Sequence, residues 1–308
     1  MNYLKVVDKQ LKSLAFPLPY NRPAIIFSNI VMPIVLKTIK APAGVKESKI
    51  TFSGYNGMKT TADVYEPENH EGNLPCILYI HGGAFCYTSA VIPKKHCLRY
   101  AKDLGCKIIY VQYHLAPKHR YPAGYEDCVL CYEWILKNHE SLGIDPTRIC
   151  FGGESGGGVY SAMLANEYEK RGLQKPAGLF MTYPVLDAAM ITESMKQFVY
   201  SPIWGCKNNA RMWNKYYTKG KVDLAKISPM QSELPNDIVK TYIETAEFDC
   251  LRDEGLAYAK RLQDAGGEVL LNETKGTFHG YDTKDKADVS IRAYKMKVAF
   301  LKECFGIE

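Results

Sequence analysis

Apolar and polar residues along the chain fall into short blocks whose period changes repeatedly. Lys49–Ser53 and Thr60–Glu66 alternate residue by residue, the two-residue period of half-buried strands, and Gly54-Tyr55-Asn56-Gly57 between them predicts the turn. Further on, continuous apolar runs replace the alternation. CILYIH (76–81), CKIIYVQY (106–113), RICFGG (148–153), AGLFMTYPV (177–185), IVKTYIETA (238–246) and EVLLNET (268–274) read as strands. The stretches 92–104, 124–139, 156–171, 253–265 and 285–303 read as helices. Strands apolar on both faces and separated by helices imply a mostly parallel, twisted sheet covered on both sides, an α/β architecture.

Two segments break this rhythm. Residues 1–45 read as helical, and AIIFSNIVMPIVL (24–36) is the longest apolar stretch at 13 residues, interrupted by Pro33. A membrane span needs about 20, so this stretch is expected to be a buried helix packed on the main domain; its functional alternative is an apolar mouth or a lipid contact. Residues 187–235 carry Trp204, Trp213, Tyr216 and Tyr217 and two short helical stretches, with no strand. So long an insertion after a strand is usually a lid or a functional loop. The division expected is N-terminal cap helices over 1–45, a core over 46–186 and 236–308, and a cap insertion over 187–235.

Composition narrows the class. The 308 residues are 46% apolar and 23% charged, ordinary for a folded globular chain. The 39 Lys and Arg against 33 Asp and Glu give +6 without a contiguous block of like charge, which argues against nucleic acid as the main partner. Ten cysteines lie mostly in apolar runs, where a reduced thiol behaves as a small hydrophobe. The opening MNYLKVVDKQLKSL is amphipathic and has neither the apolar core nor the small-residue cleavage site of a signal peptide. A reduced, cytoplasmic protein is expected. Cys128 and Cys131 have redox-motif spacing but apolar helical flanks, so they read as core. No second Cys or His pair stands at ligand spacing beside Cys128 and Cys131, so no metal is expected, and no cofactor is called for.

The sharpest chemical signal is Gly153-Glu154-Ser155-Gly156-Gly157, between the strand RICFG and a helix. A serine on so tight a turn needs small neighbours, and the helix N-terminus beside it supplies backbone donors. A phosphate-binding turn is the alternative, but the Lys-Ser/Thr pair of a P-loop is missing. A serine hydroxyl needs a general base held by an acid. His279 follows the last strand, and Asp249 the strand before it, so both reach the sheet edge where Ser155 stands. The order Ser155, Asp249, His279 is that of a nucleophile-elbow hydrolase. His114, at a strand end, is the second choice for the base, and Asp253 reads as the N-cap of the next helix. His81-Gly82-Gly83-Ala84 follows the strand CILYI, and Gly82, Gly83 and Gly156 are expected to turn their N–H groups toward a developing oxyanion, with His81 bracing the loop.

Taken together, LYIHGGAF (78–85), VQYHLAPKHRYPAGYED (111–127), FGGESGGG (151–158), TYPVLD (182–187), DCLRDEG (249–255) and FHGY (278–281) resemble the hormone-sensitive-lipase-like branch of the α/β-hydrolases, the microbial acetyl esterases and carboxylesterases. The motifs run in the family's order over about residues 50–300. The resemblance implies Ser155 as nucleophile, Asp249 and His279 as its partners, Gly82, Gly83 and Gly156 as oxyanion donors, and a cap from the N-terminal helices and the 187–235 insertion. Ala84 stands where a third Gly is usual, Glu154 for the commoner Asp, Gly156 for the commoner Ala, Gln112 and His114 for Asp and Arg, and Cys250 for Pro or an apolar residue. None of these removes a reacting group.

The activity this implies is hydrolysis of small-molecule esters with short acyl chains through an acyl-enzyme. Phe85, Tyr87, Trp204 and Trp213 are candidates for the pocket wall or for cap core. An amidase-type hydrolase on the same triad, an aryl formamidase or small peptidase, is the alternative. A non-catalytic small-molecule binder is more remote, since all three triad members are present. Monomer and homodimer are both compatible with the sequence.

Overall fold

The structure is a computed structural model that describes residues 3–220 and 222–307, with the backbone alone for Tyr216. Its described strands form one eight-stranded sheet: β1 (Val45–Ser53), β2 (Lys59–Pro67), β3 (Leu74–Ile80), β4 (Lys107–Gln112), β5 (Ile144–Glu154), β6 (Gly178–Thr182), β7 (Thr241–Ala246) and β8 (Val269–Thr274). The spatial order is β1-β2-β4-β3-β5-β6-β7-β8. The alternating strands β1 and β2 pair antiparallel with each other, and β2 pairs antiparallel with β4. Every pair from β4 to β8 is parallel. That split follows the hydrophobic pattern: β3, β6 and β7 are buried at every residue, whereas β1 exposes most of one face at the sheet edge.

Helices Ala123–Leu142, Gly156–Glu167 and Arg252–Asp264 carry residues of the larger core cluster, which contains Leu78, Ile80, Phe151 and Ile243. Helices Val91–Leu104 and Asp288–Phe305 pack around the second cluster, which contains Ile77, Ile108, Phe180 and Tyr242. Alternate residues of one strand, Ile77 and Leu78, thus feed opposite layers. Pairing aligns Ile80 with Gly153, Glu154 with Thr182, Thr182 with Glu244, and Ala246 with Thr274. The carboxyl ends of β3, β5, β6, β7 and β8 therefore form one edge, and the loops leaving it are neighbours.

Among the described residues, 187–235 hold four short helical pieces, Glu193–Gln197, Cys206–Arg211, Met212–Tyr217 and Leu224–Lys226, rather than two. The N-terminal segment is tied to this stretch: Ile203 N–H donates to Phe16 O at 2.8 Å and Arg211 Nη1 donates to Tyr20 O at 2.6 Å. Among the described residues no helix is long and apolar enough to cross a membrane. The expectation of a buried helix over 24–36 is corrected. The helix Arg22–Thr38, capped by the Asn21 side chain, buries Ile25, while Ile26, Phe27, Ile30 and Ile34 are exposed. Only one face of it finds protein to pack on.

Candidate functional site

Ser155 ends β5 and opens the helix Gly156–Glu167 at φ 53° and ψ −122°. Such a conformation costs a non-glycine residue about 1–3 kcal/mol and persists only where the surroundings enforce it. Ser155 N–H donates to Thr182 O at 3.1 Å, and Ser155 O accepts from Gly158 N and Val185 N at 3.0 Å each. The run of small residues has a steric cause. A Cβ on Gly157 would sit 2.0 Å from Ile80 O, and one on Gly158 2.5 Å from Pro184 Cβ.

His279 lies on the loop after β8, and its Nε2 is 2.8 Å from Ser155 Oγ. Its Nδ1 is 2.7 Å from Oδ2 of Asp249, on the loop after β7. A carboxylate only accepts, so Nδ1 carries the proton and Nε2 presents its lone pair to the serine hydroxyl. Asp249 is fully buried, and its Oδ1 accepts from Leu251 N at 3.1 Å. The two loops are laced together: Phe248 N–H donates to Thr277 O at 2.8 Å and Gly276 N–H to Glu247 Oε2 at 2.6 Å. Tyr183 packs its ring 4.6 Å from that of His279 and donates its hydroxyl to Asp282 at 2.6 Å.

On the other side of Ser155 is the loop after β3. Gly83, Ala84 and Phe85 have φ of 100°, 51° and 61°, a run of left-handed residues that folds the chain sharply back. A Cβ on Gly156 would lie 3.2 Å from Ala84 N, so that amide stands beside the residue following the nucleophile. Among the described residues the N–H groups of Gly83, Ala84 and Gly156 have no acceptor. Gly82 differs, and its expected donor role is corrected. Its N–H donates to Glu154 Oε1 at 2.7 Å and is spent within the protein. A Cβ on Gly82 would lie 2.8 Å from Glu154 O and 3.1 Å from Ser155 Cβ, so Gly82 supplies room. Ala84, noted in the sequence only for standing where a third Gly is usual, has its N–H free beside Gly156 instead. Nothing in a run of consecutive small residues tells which amide is already used.

Further residues that the sequence did not announce hold this loop. Tyr20 OH donates to Ala84 O at 2.9 Å, Asn29 Nδ2 to Cys86 O at 2.8 Å, and Tyr113 OH to His81 O at 2.8 Å. His81 stacks on Tyr113 with its Nδ1 2.7 Å from Gly82 O. Burial lowers its pKa to about 4, which keeps it neutral. Glu154 is the other anchor, and burial pushes its carboxyl up to about 8 against the opposing Gly82 N–H bond.

The remaining candidates lie apart from the serine or around it. His114 Nδ1 is 2.7 Å from Asp127 Oδ2 and forms no bond with Ser155; Gln112 donates to Asp63 at 2.8 Å. Asp253 is not an N-cap. Leu251 holds that position, and Asp253 sits in the first turn accepting from Ser194 N at 2.7 Å. Phe85 is buried and stacks on Tyr217 at 4.0 Å, with Trp213 5.8 Å away. Trp204 lies 6.2 Å from the His279 ring, and Tyr87 is half-buried with its hydroxyl donating to Pro19 O at 2.7 Å. Among the described residues no three His, Cys, Asp or Glu side chains are grouped to hold a metal ion.

A family model described as the α/β hydrolase fold matches residues 77–283. The chain is similar to an ethyl acetate hydrolase of Pseudomonas putida, 29% identical over 76% of this chain and 75% of that protein. It is also similar to the carboxylesterase NlhH of Mycobacterium tuberculosis, 30% identical over 74% of this chain and 73% of that one. Among solved structures, a bacterial heroin esterase superposes with a TM-score of 0.88 at 28% identity, covering 98% of this chain and 99% of the other. Esterase LipW from Mycobacterium marinum gives 0.90 at 26% identity over 99% and 98%.

Proposed function

The chain belongs to the α/β-hydrolase family, in its hormone-sensitive-lipase-like branch, and is a carboxylic ester hydrolase; from that premise we propose that it cleaves short-chain acyl esters through an acyl-enzyme on Ser155. The observation that carries this reading is the unbroken bond series from Ser155 Oγ through His279 to Asp249, at 2.8 and 2.7 Å.

His279 Nε2 takes the hydroxyl proton as Ser155 Oγ attacks the ester carbonyl. The imidazolium that forms is stabilised by Asp249. The carbonyl oxygen becomes an oxyanion facing the N–H groups of Gly83, Ala84 and Gly156, each worth roughly 3–4 kcal/mol in comparable hydrolases. Collapse passes the proton from His279 to the departing alkoxide and leaves an ester on Ser155. Water, deprotonated by the same imidazole, then releases the acid.

Phe85 beside Gly156, Trp213 with its ring 5.8 Å from that of Phe85, and Trp204 beside His279 are the proposed walls that limit the acyl chain, with Tyr87 at the rim. Residues 1–45 and 187–235 are the proposed cover over the site. Their mutual hydrogen bonds, and those of Tyr20 and Asn29 to the oxyanion loop, support this. Eight of the ten thiols are free and buried, which suits a reducing compartment such as the cytoplasm.

A p-nitrophenyl ester series from acetyl to dodecanoyl, run on wild type and Ser155→Ala, tests the reading. Turnover peaking at acetyl to butyryl, and below about one per cent in the variant, is expected. Equal rates on dodecanoyl and acetyl esters contradict the short pocket. Turnover of aryl formamides without ester turnover moves the assignment to an amidase.

A further inference from the structure

The N-terminal helix presents an apolar stripe that the catalytic reading does not use. Ile26, Phe27, Ile30 and Ile34 are 50, 69, 64 and 64% exposed. At 100° per residue they fall within one arc of about 100° along a helix about 25 Å long. Of the fourteen most exposed large apolar side chains among the described residues, eight belong to residues 3–40. Singly exposed apolar residues are ordinary, but a continuous stripe marks a surface that binds something.

Charge says what. Residues 3–40 carry Lys5, Lys9, Lys12, Arg22, Lys37 and Lys40 against Asp8 alone, +5 of the chain's +6. None of the six is within ion-pair distance of an acid among the described residues. Arg22 and Lys37 stand at the two ends of the stripe, where long basic side chains reach past an apolar face to anionic groups. A second copy of this face would bring like charges together. An anionic lipid surface matches both the apolar stripe and the basic side chains at its two ends.

We propose that the helix Arg22–Thr38 lies on anionic lipid surfaces, seating Ile26, Phe27, Ile30 and Ile34 among the acyl chains, and that the enzyme is thereby a peripheral membrane protein. Asn29 of this helix donates to Cys86 O, and Tyr20 just before it to Ala84 O, so the docked face is joined directly to the loop beside Ser155. Docking brings the mouth of the site toward amphiphilic esters held in the surface. The binding itself does not depend on the proposed ester chemistry.

Vesicle flotation of the full chain tests it, using equimolar phosphatidylcholine and phosphatidylglycerol against phosphatidylcholine alone. The wild type floats with the anionic vesicles and is released by raised salt. Phe27→Asp/Ile30→Asp and Arg22→Glu/Lys37→Glu each lower partitioning about tenfold or more with unchanged thermal melts. Should the apolar variant melt early, the charge-reversed one still tests lipid binding on a fully folded protein. A wild type that stays in solution, or variants that float as well as it does, overturns the proposal. Self-association abolished by Phe27→Asp/Ile30→Asp, without flotation, overturns it in favour of a second copy on the stripe.

Discussion

Replacing Glu154 separates two jobs of one buried side chain. Its Oε1 is the acceptor for Gly82 N–H at 2.7 Å, which fixes the start of the loop carrying the amides of Gly83 and Ala84. Glu154→Ala leaves that N–H buried and unpaired and opens a small cavity, a loss of about 2–4 kcal/mol in stability. The freed loop no longer holds its donors in place, and a displacement near 1 Å costs about 10²-fold in kcat/KM. Glu154→Gln keeps an acceptor oxygen in the same place and adds no charge. With its pKa raised to about 8 by burial, the native carboxyl is largely protonated at neutral pH, so the glutamine variant is expected near wild-type activity there.

The sign of the pH effect follows from the same shift. Between the ordinary value of 4.5 and about 8 the folded protein holds a proton that the unfolded chain has lost. Stability therefore declines as pH rises through that window and levels above it. Ionisation above about 8 also sets a negative charge behind the proposed oxyanion donors, which opposes the transition state. Esterase rates and thermal melts from about pH 6 to 9 on the three proteins measure this. In the wild type the melting temperature is expected to fall from pH 6 to about 8 and level above it, while the esterase rate falls as pH passes about 8, and Glu154→Gln is expected to lack both components. A glutamine variant as damaged as the alanine one at neutral pH refutes the reasoning, as does an identical alkaline decline in wild type and glutamine variant.

Asp249→Asn is expected to lower kcat roughly 10³–10⁴-fold with KM little changed, because an amide can donate to Nδ1 and favour the wrong tautomer; steady-state kinetics decide it, and a loss below tenfold contradicts the role. Lys297 Nζ is buried 2.9 Å from Glu244 Oε1, whose carboxylate also accepts from the hydroxyls of Tyr242 and Tyr281. Lys297→Met should cost about 3–5 kcal/mol in denaturant unfolding by stranding that charge, and adding Glu244→Gln should restore much of it.

The central sheet was legible because each parallel strand is a short apolar run between turn residues, the pattern that burial on both faces produces. The catalytic candidates were legible for a related reason. Once β5, β7 and β8 are placed in one parallel sheet, Ser155, Asp249 and His279 must leave the same edge. The loop after β3 was legible as a loop, but the choice between Gly82 and Ala84 as proposed oxyanion donor depends on a Glu154 side chain 72 residues away. No local pattern encodes that. The helix over 22–38 shows the other limit. Its sequence is apolar nearly all round, and periodicity cannot tell how much of such a surface the rest of the fold covers. Tyr20 and Asn29 gave no signal either, since their partners are carbonyls of a distant loop.

The central claim is that Ser155 carries the acyl group. Intact-mass and peptide-mass measurement after treatment with diethyl p-nitrophenyl phosphate tests it directly, since the phosphoryl group is trapped on the nucleophile that the ester would acylate. One diethylphosphoryl group on the peptide containing Ser155, with parallel loss of esterase activity and no labelling of Ser155→Ala, is the predicted result. Labelling elsewhere, or hydrolysis that continues with Ser155 blocked, would contradict it.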